Sequence, residues 1–330
     1  MATSTFSELS FLELESSQSA TECRIVQMIP DCRFPTFLLS SPDNRQFFSL
    51  KVFPYIKGQV SDSYKNEIRF INLSHPHISA VLDFKEKKEF IFEGEPLLAS
   101  YIIREASPFG TLGNLLSTTT LFQDEKLLRT YFQQLIKSLE YLHSMEIAHM
   151  DLKPSNLLIG PQFKLKIVDF DSSYMENDTV INLGTRNFRP PELRRGKCKD
   201  PFTADIYSAA IIFYFFKYGY LPYLEDPVDK LSIMEHPMFE SKKHSPPEEE
   251  RDFLELFKIM THSDYVARAT IGEIKRSKWF NGPIYDQGKL MEILTPYFKK
   301  DKEIFTNCGD SISIISFNDT EISSILFTEL

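Results

Sequence analysis

Four polar residues with the potential for chemistry lie close together near the middle of the chain. Asp151, Lys153 and Asn156 share the segment HMDLKPSNLLIG, and Asp169 follows in FKLKIVDFDSSY. Apolar runs flank these residues, which indicates a polar loop followed by a strand and a turn. Carboxylate and carboxamide oxygens can bind hard metal ions, and a carboxylate can also accept a proton. A DxKxxN string on its own, however, is more often a solvated loop.

Further segments follow one another in a defined order on both sides of this cluster. On the N-terminal side these are FSLK ending in Lys51, Glu67 in an apolar helical run, and HPHI at 75–78. On the C-terminal side these are GTRNFRPPE at 184–192, DIYS at 205–208, and Arg268, which would pair with Glu192. Together with the central cluster they resemble the motifs of eukaryotic protein kinases of the Ser/Thr type, over residues 24–281. Each piece alone would be weak evidence, but their combined order is specific.

The resemblance implies that the γ-phosphate of Mg-ATP is transferred to a Ser or Thr hydroxyl of a protein substrate. Asp151 would accept the proton of the attacking hydroxyl and orient it, and Lys153 would neutralise charge at the γ-phosphate. Asn156 and Asp169 would bind Mg²⁺. Lys153 together with Thr185 is similar to Ser/Thr kinases rather than tyrosine kinases, so we expect a Ser or Thr acceptor.

The resemblance also implies a nucleotide site. Lys51 would hold the α- and β-phosphates of ATP while paired with Glu67, and Phe37 would cover one face of the adenine. The other residues expected to line the nucleotide are Ser49, Glu105, Ser107 and Leu158. Glu67 precedes His75 by eight positions, one fewer than in the family, so a solvated glutamate on the helix surface is the alternative.

The sequence departs from the family at four places. The glycine-rich loop aligns with PDCRFPTF at 30–37, which has no glycine and two prolines without N–H groups. The turn after Asp169 reads DFD, with Asp171 in the glycine position, where aspartate would tolerate a positive φ. Arg104 replaces an apolar residue, and its buried cation would need a carboxylate or water. Met150 replaces an arginine that often pairs with a phosphate on the activation segment.

Two functions from different classes are compatible with these residues. An active kinase is favoured because all six catalytic positions named above are kept. A pseudokinase that serves as a binding scaffold is favoured by the altered glycine-rich loop, Asp171 and Arg104. A scaffold has no chemical need of Asp151 and Lys153, so the active kinase is the first hypothesis. The loss of the arginine at position 150 further predicts that activity does not require activation-segment phosphorylation.

The composition argues against several other classes of protein. The chain has 330 residues, 42% of them hydrophobic, and a net charge of −9, so we expect no nucleic-acid ligand. The four cysteines lack CxxC spacing, which favours neither a disulfide scaffold nor a zinc site and indicates an intracellular, cytoplasmic protein. No Lys or Arg precedes Arg24, unlike in a signal peptide, and the apolar stretch 206–216 is too short to cross a membrane. The sequence does not specify an oligomeric state.

The pattern of apolar residues predicts an α+β chain with a small β-rich half followed by a larger helical half, and the resemblance implies that these are the two lobes of a protein-kinase-like fold. Short β-rich segments and one main helix at 61–73 indicate a small N-lobe over residues 21–105. Amphipathic helical patterns, the clearest at 127–142, indicate a larger helical C-lobe over residues 106–281.

Segments outside the two lobes carry weaker patterns. Residues 1–20 are rich in Ser and Thr and acidic, and we expect a disordered leader there. Residues 282–330 form a C-terminal tail, which contains apolar clusters at 312–317 and 322–327. These clusters predict that the tail docks on the body of the protein.

Overall fold

The chain is described by a computed structural model in two compact units. The described residues are 12–16, 19–29, 32–41, 47–92, 95–107, 109–119, 121–176, 178, 184–196, 200–222 and 247–306. The first unit takes in the chain up to Asn72, Ala80–Ala106 and the residues from Thr295 onward, and the second takes in Leu73–Ser79 and Ser107–Leu294. The first is rich in strands and the second in helices, which agrees with the expected α+β class.

An antiparallel sheet forms most of the first unit. Its strands are β1 (Leu12–Ser16), β2 (Ser19–Ile29), β3 (Thr36–Ser40), β4 (Phe47–Pro54), β5 (Val81–Phe92) and β6 (Glu95–Glu105). Within the described residues the strand order is β1-β2-β3-β4-β6-β5, so β4 and β6 are neighbours in the interior of the sheet. β2 to β6 contain β-branched and aromatic residues, which favour strands.

The helix of the first unit is shorter than the sequence indicates. Helix α1 spans Asp62–Glu67 and continues as a 3-10 turn over Ile68–Phe70, whereas the apolar pattern predicts a helix over 61–73. A helix of six residues has little stability of its own. Its position is therefore fixed by the contacts of its buried side chains, Tyr64 and Glu67.

The two faces of the sheet pack against different groups, because successive side chains of a strand point to opposite sides. One face carries the main core of the unit, formed by Cys23, Phe37, Leu39, Leu50, Val52, Ala99, Tyr101 and Ile103. On the other face, Phe53 and Ile102 pack with Tyr64 of α1, and the Phe53 and Tyr64 ring centroids are 5.4 Å apart. Lys51 shares this second face, because it is two residues from Phe53 on β4.

The second unit contains most of the helices. These are α2 (Leu112–Thr118), α3 (Glu125–Ser144), α4 (Pro191–Arg194), α5 (Pro201–Tyr218), α6 (Glu248–Met260), α7 (Ile271–Arg276) and α8 (Gln287–Thr306), which runs past the unit boundary at 295. Its short strands are β7 (Ile147–Ala148), β8 (Leu157–Ile159), β9 (Leu165–Ile167) and β10 (Tyr174–Met175). The antiparallel partners β7 and β10 flank the central polar cluster in sequence, and the antiparallel pair β8-β9 lies between Asn156 and Asp169.

Two long helices, α3 and α5, form the framework of this unit. The apolar side chains of α3 that recur at three- and four-residue steps are fully buried, as the periodicity predicts. The Asp124 side chain caps α3 by accepting from the N–H of Leu127 at 3.1 Å. Helix α5 starts with Pro201 after the cap Asp200 and ends at Gly219, whose φ is +79°.

Two N-terminal boundaries differ from the sequence-based expectation. Within the expected leader 1–20, Leu12–Ser16 form β1, which pairs with β2 from Ser19; residues 1–11 lie outside the described part. The alternating LELES sequence has the two-residue period of a strand. The loop Leu73–Ser79, expected in the N-lobe, belongs to the second unit because Ser79 donates its N–H to the carbonyl of Ile167 at 3.0 Å.

The helical unit also extends beyond residue 281, where the tail was expected to begin. Arg129 donates to the carbonyl of Pro283 at 2.8 Å, and the Tyr285 hydroxyl donates to the Asp124 carboxylate at 2.9 Å. These bonds attach the segment before α8 to α3. The apolar clusters of the tail lie within 307–330, outside the described residues, so their docking stays a prediction.

Candidate active site

Lys51 and Glu67 form an ion pair within the first unit. The Nζ atom of Lys51 on β4 donates to Oε2 of Glu67 at 2.9 Å. Glu67 is the last residue of α1 and is completely buried. A buried carboxylate needs a partner. The alternative of a solvated glutamate on the helix surface is therefore wrong, despite the short spacing to His75.

Arg104 binds the same carboxylate. It lies on β6, and its Nε and Nη2 atoms donate to Oε1 of Glu67 at 3.2 and 2.9 Å. The expectation that this cation finds a carboxylate is confirmed, and the carboxylate is the one that also pairs with Lys51. Each oxygen of Glu67 thus accepts from a different cation.

The strand register contradicts the assignment of Phe37 to the adenine site. Phe37 pairs with Leu50 and packs in the main core, whereas Leu38 pairs with Ser49. Ser49 and Lys51 are two residues apart on β4 and lie on the other face of the sheet. Thr36, Leu38 and Ser40 of β3 share a face with Lys51, and Leu38 is the apolar residue among them. Because the segment at 30–37 lacks the glycines that would fix its match to the family motif, the sequence-based assignment is off by one residue. A shift of one residue along a strand moves a side chain to the opposite face of the sheet.

The other residues expected at the nucleotide lie near strand ends. Glu105 is the last residue of β6, and its N–H donates to the carbonyl of Ala80 at 3.0 Å. Ser107 begins the second unit, and its buried hydroxyl oxygen makes no hydrogen bond to any described residue. Leu158 is half-buried on β8, where it bridges to Thr111. A buried hydroxyl such as that of Ser107 is suited to bind a ligand group.

A loop between β7 and β8 carries Asp151, Lys153 and Asn156, and Asp205 of α5 anchors it. The Asp205 carboxylate accepts from the backbone N–H of His149 at 2.7 Å and of Met150 at 2.9 Å. The same carboxylate lies 3.1 Å from Nε2 of His143. Because two consecutive N–H groups bind one buried carboxylate, the backbone before Asp151 is held in a single conformation.

The ring of His149 provides a second anchor for this loop. Its Nδ1 atom accepts from the N–H of Asp151 at 3.3 Å, so the ring proton is on Nε2, which donates to the carbonyl of Val168 at 2.9 Å. The ring is fully buried and packs 5.0 Å from the ring of Phe170. The histidine therefore joins the loop between β7 and β8 to the segment that carries Asp169.

Asp151 uses both of its carboxylate oxygens. Oδ1 accepts from the backbone N–H of Thr185 at 2.7 Å and from its hydroxyl at 2.6 Å. Oδ2 accepts from Nζ of Lys153 at 2.7 Å. Nδ2 of Asn156 donates to the backbone carbonyl of Asp151 at 2.9 Å. The fold thus brings Asp151, Lys153 and Asn156 together and adds Thr185 as a direct partner of the carboxylate.

Gly184 allows this approach of Thr185. Its φ is +67°, and a Cβ at this position would lie 2.2 Å from the carbonyl oxygen of Met150. No side chain fits at that distance. A glycine is therefore required for the segment before Thr185 to pass close to the backbone of Met150.

The turn at Asp169 differs in one respect from the expectation. The positive φ that aspartate was expected to tolerate occurs at Asp169, with φ of +69°, and not at Asp171. Phe170 is fully buried, and the Asp171 side chain accepts from the hydroxyl of Ser172 at 3.0 Å. Replacing the glycine of the family by Asp171 therefore requires no left-handed backbone at that residue.

Asn156 and Asp169 carry the oxygen atoms expected to bind Mg²⁺. Because the amide nitrogen of Asn156 donates to Asp151, its oxygen is the atom that it can offer to a metal. The described residues contain no cluster of three or more His, Cys, Asp or Glu side chains that would hold a metal alone. Mg²⁺ usually combines one or two protein oxygens with water and substrate phosphates, and this donor set fits that pattern.

Two further parts of the second unit carry motif residues. Arg268 donates to both carboxylate oxygens of Glu192 at 2.7 and 3.0 Å, which confirms the expected ion pair.

Met150 lies in an apolar cluster with Ala148, Leu193 and Ala204. A cation at position 150 would thus be surrounded by apolar side chains rather than by a polar pocket.

A family model described as the protein kinase domain matches residues 37–280, which is most of the chain. The chain belongs to the protein kinase family. The expected α+β kinase fold is therefore established, with a sheet-rich first unit and a helical second unit. Protein kinases generally use ATP and Mg²⁺. None of the helices in the described ranges of this kinase domain is long and apolar enough to cross a membrane.

Several curated protein kinases are similar to this kinase domain. The carbon catabolite-derepressing protein kinase of Secale cereale is 29% identical over 230 residues, which cover 67% of this chain and 43% of that protein. The CBL-interacting serine/threonine-protein kinase 26 of Arabidopsis thaliana is 30% identical over 236 residues, 68% of this chain and 50% of that protein. The SNF1-like protein kinase ssp2 of Schizosaccharomyces pombe is 31% identical over 192 residues, which cover 56% of this chain and 32% of that protein. The kinase domain thus spans half or less of these relatives.

The sequence did not reveal two features of this kinase domain. The first is the pair of hydrogen bonds that Thr185 donates to Asp151, which local patterns cannot predict because 34 residues separate the two. The adjacent Gly184 was the residue that could have indicated a close approach of the two segments. The position of Leu38 was missed because the loop lacks the glycines that define its alignment. The alternation of apolar residues in TFLLS is too weak to assign faces.

Proposed function

We propose that this kinase domain transfers the γ-phosphate of Mg-ATP to Ser or Thr hydroxyls of protein substrates. The observation that carries the proposal is the arrangement around Asp151, whose oxygens accept from Thr185 and Lys153. A carboxylate held in this way can accept the proton of a substrate hydroxyl and orient it for in-line attack.

The residues of the second unit have separate roles in the proposed reaction. Asp151 orients the acceptor hydroxyl, and Thr185 fixes the rotation of the Asp151 carboxylate. Lys153 is bound to Asp151 before substrate arrives, so its charge is already in place to neutralise the γ-phosphate. Asn156 and Asp169 would hold Mg²⁺, which neutralises phosphate oxygens when bound.

The residues of the first unit bind the nucleotide in this proposal. Lys51, oriented by Glu67, holds the α- and β-phosphates. Ser49 and Leu38 share the face of Lys51 and are the residues of β4 and β3 proposed to contact the adenine. Glu105, the last residue of β6, supplies polar backbone groups for the edge of the adenine.

A pseudokinase scaffold is the second candidate, and the segment at 30–37 favours it. Two prolines and no glycine leave this loop fewer N–H groups for phosphates, so we expect ATP to bind weakly. The ordered carboxylate of Asp151 favours the active kinase, since ATP-dependent scaffolding would not need Thr185 and Lys153 to orient it. The names of the similar proteins, all kinases, point in the same direction.

The experiment that tests the proposal is phosphate transfer from γ-labelled ATP to a generic basic protein by the purified full chain. We expect incorporation that requires Mg²⁺, stops with EDTA and yields phosphoserine or phosphothreonine but no phosphotyrosine. A thermal-shift titration with ATP, with and without Mg²⁺, measures binding separately. Stabilisation by Mg-ATP without any phosphate incorporation would support the scaffold instead.

A further inference from the structure

Arg104, Glu67 and Lys51 form a three-residue cluster, in which Arg104 and Glu67 are buried and Lys51 is partly exposed. This cluster differs from the simple Lys–Glu pair of the family. The Glu67 side chain is 1% exposed, and Arg104 is 8% exposed. Arg104 donates to Oε1 of the carboxylate through two atoms, and Lys51 donates to Oε2. In these bonds the two cations use different oxygens of Glu67.

The strand register explains why the cluster forms. On neighbouring strands β4 and β6, Ser49 pairs with Arg104 and Lys51 pairs with Ile102. Paired residues of an antiparallel ladder point to the same side, and so do residues two apart on one strand. Lys51 and Arg104 therefore lie diagonally on one face of the sheet, the face on which α1 packs.

The helix that carries Glu67 depends on such contacts. Helix α1 has six residues, and the side chain of its N-cap residue, Ser61, makes no capping hydrogen bond in the described structure. Besides Tyr64, which packs on Phe53, Glu67 is the buried side chain of this helix. Two bonds from Arg104 and one from Lys51 thus tie the C-terminal end of α1 to the sheet.

We propose that Arg104 is a positioning residue, which holds α1 and Glu67 in place so that Lys51 is oriented before nucleotide binds. The proposal rests on the proposed kinase activity for its kinetic consequence, but its structural part does not. Because the guanidinium is always charged and its fork reaches Oε1 through two N–H groups, it restrains the rotation of the carboxylate. A nucleotide or a modification would then not be needed to assemble the Lys51–Glu67 pair.

The main test compares R104M, R104Q and R104K with the parent chain. We expect R104M and R104Q to lose about ten-fold or more in kcat/KM for ATP, and R104K to recover part of this loss because one ammonium replaces the fork. R69Q is the matched control, since Arg69 is an exposed arginine in the turn after α1 and its loss changes the net charge equally. Parent-like kcat/KM in R104M, or a gain, would overturn the proposal.

A second measurement does not depend on catalysis. Hydrogen exchange of the α1 amides that bond within the helix, those of Lys65 and Ile68, is followed without nucleotide. We expect about ten-fold faster exchange at these amides in R104M, while the amides of α3 stay protected. Equal exchange in R104M and the parent would contradict the proposal even if the parent were inactive. An inactive parent with faster exchange in R104M would instead contradict only the proposed function.

A double-mutant cycle with E67Q decides whether Arg104 acts through Glu67. If it does, R104K changes the midpoint of the Mg-ATP titration much less in the E67Q background than in the parent. Equal effects in both backgrounds would show that Arg104 acts elsewhere, and the proposal would be wrong. R104K keeps the charge, so this measurement remains possible if R104M does not fold.

Discussion

Thr185 donates both its backbone N–H and its hydroxyl to a single oxygen of Asp151, at 2.7 and 2.6 Å. The two residues are 34 positions apart in the chain. Gly184 makes the approach possible, because any Cβ there would collide with the backbone of Met150. The rotation of the Asp151 carboxylate is thus fixed from the activation-segment side, while Lys153 holds the other oxygen.

We expect D151N to abolish phosphate transfer and to leave folding and nucleotide affinity nearly unchanged. A carboxamide cannot accept the proton, and a positioned base contributes about 10²–10⁴-fold to the rate. Initial rates with Mg-ATP and the midpoint of a Mg-ATP thermal-shift titration measure the two effects. D62N is the control, since the Asp62 side chain is 97% exposed. Comparable rates for D151N and the parent would refute the kinase function.

We expect T185V to lower kcat about ten-fold, equivalent to about 1.4 kcal/mol in the barrier, while T185S stays near the parent rate. Valine matches threonine in shape but removes the hydroxyl that donates to Asp151, and serine keeps it. The KM for ATP should not change, because the lost bond is to the carboxylate. Steady-state kinetics with varied ATP test this, and an unchanged kcat in T185V would count against the orienting role.

We expect R268M to destabilise the second unit by about 3–5 kcal/mol, because it leaves the buried Glu192 carboxylate without its partner. The Arg268 side chain is 0% exposed and that of Glu192 is 8% exposed. The matched control is K275M, which removes an ion pair to Glu140 whose side chains are 43% and 47% exposed. This change should cost about 1 kcal/mol or less. Denaturant unfolding measures both, and similar losses would contradict the expectation.

We expect the second unit to lose stability as the pH falls from about 6.5 to about 4, because burial lowers the pKa of His77 to about 4. Between these pH values the unfolded chain binds a proton at His77 that the folded chain does not bind. The free energy of unfolding therefore decreases as the pH falls through this window. Nδ1 of His77 lies 3.2 Å from the carbonyl of Leu165, and the neutral ring can donate there.

The substitution H77Q removes this titration and keeps a donor for Leu165. Denaturant midpoints at pH 7.5 and 5.5 should therefore differ less in H77Q than in the parent. H262Q serves as the control, because His262 is exposed. An equal drop in the midpoint for H77Q and the parent would assign the acid sensitivity to other groups.

We expect the activity not to require phosphorylation of the activation segment. Met150 packs in an apolar cluster with Leu193 and cannot bind a phosphate. The test replaces Ser172 by Ala, Tyr174 by Phe and Thr179 by Ala, the last of which lies outside the described residues. Ser173 is left unchanged because its buried hydroxyl donates to the carbonyl of His149 at 3.1 Å.

Initial rates of this triple variant and of the phosphatase-treated parent should stay within about three-fold of the untreated parent, a change below 1 kcal/mol in the barrier. A ten-fold loss in both preparations would show that phosphorylation is required. A loss in the variant alone would indicate damage to the turn after Asp171 instead.

The sequence by itself determined the family, most elements and the composition of the catalytic loop. The apolar residues of α3 recur at helical steps, and β4 and β6 are rich in apolar and aromatic residues. Local patterns were therefore sufficient for these elements. Asp151, Lys153 and Asn156 lie within six residues of one another, and their order relative to Lys51 and Asp169 identified the resemblance.

The tertiary structure decided which distant side chains meet, although the resemblance had already implied the pairs Arg268–Glu192 and Lys51–Glu67. Arg104 and Glu67 are 37 residues apart, Thr185 and Asp151 34, and Arg268 and Glu192 76. No local period specifies such pairs. The face of the sheet on which Phe37 lies depended on the strand register, because a shift of one residue moves each side chain to the opposite face. A buried charge is costly in the low-dielectric interior unless it pairs with an opposite charge. Which opposite charge lies close enough is decided by how the surrounding strands and helices pack.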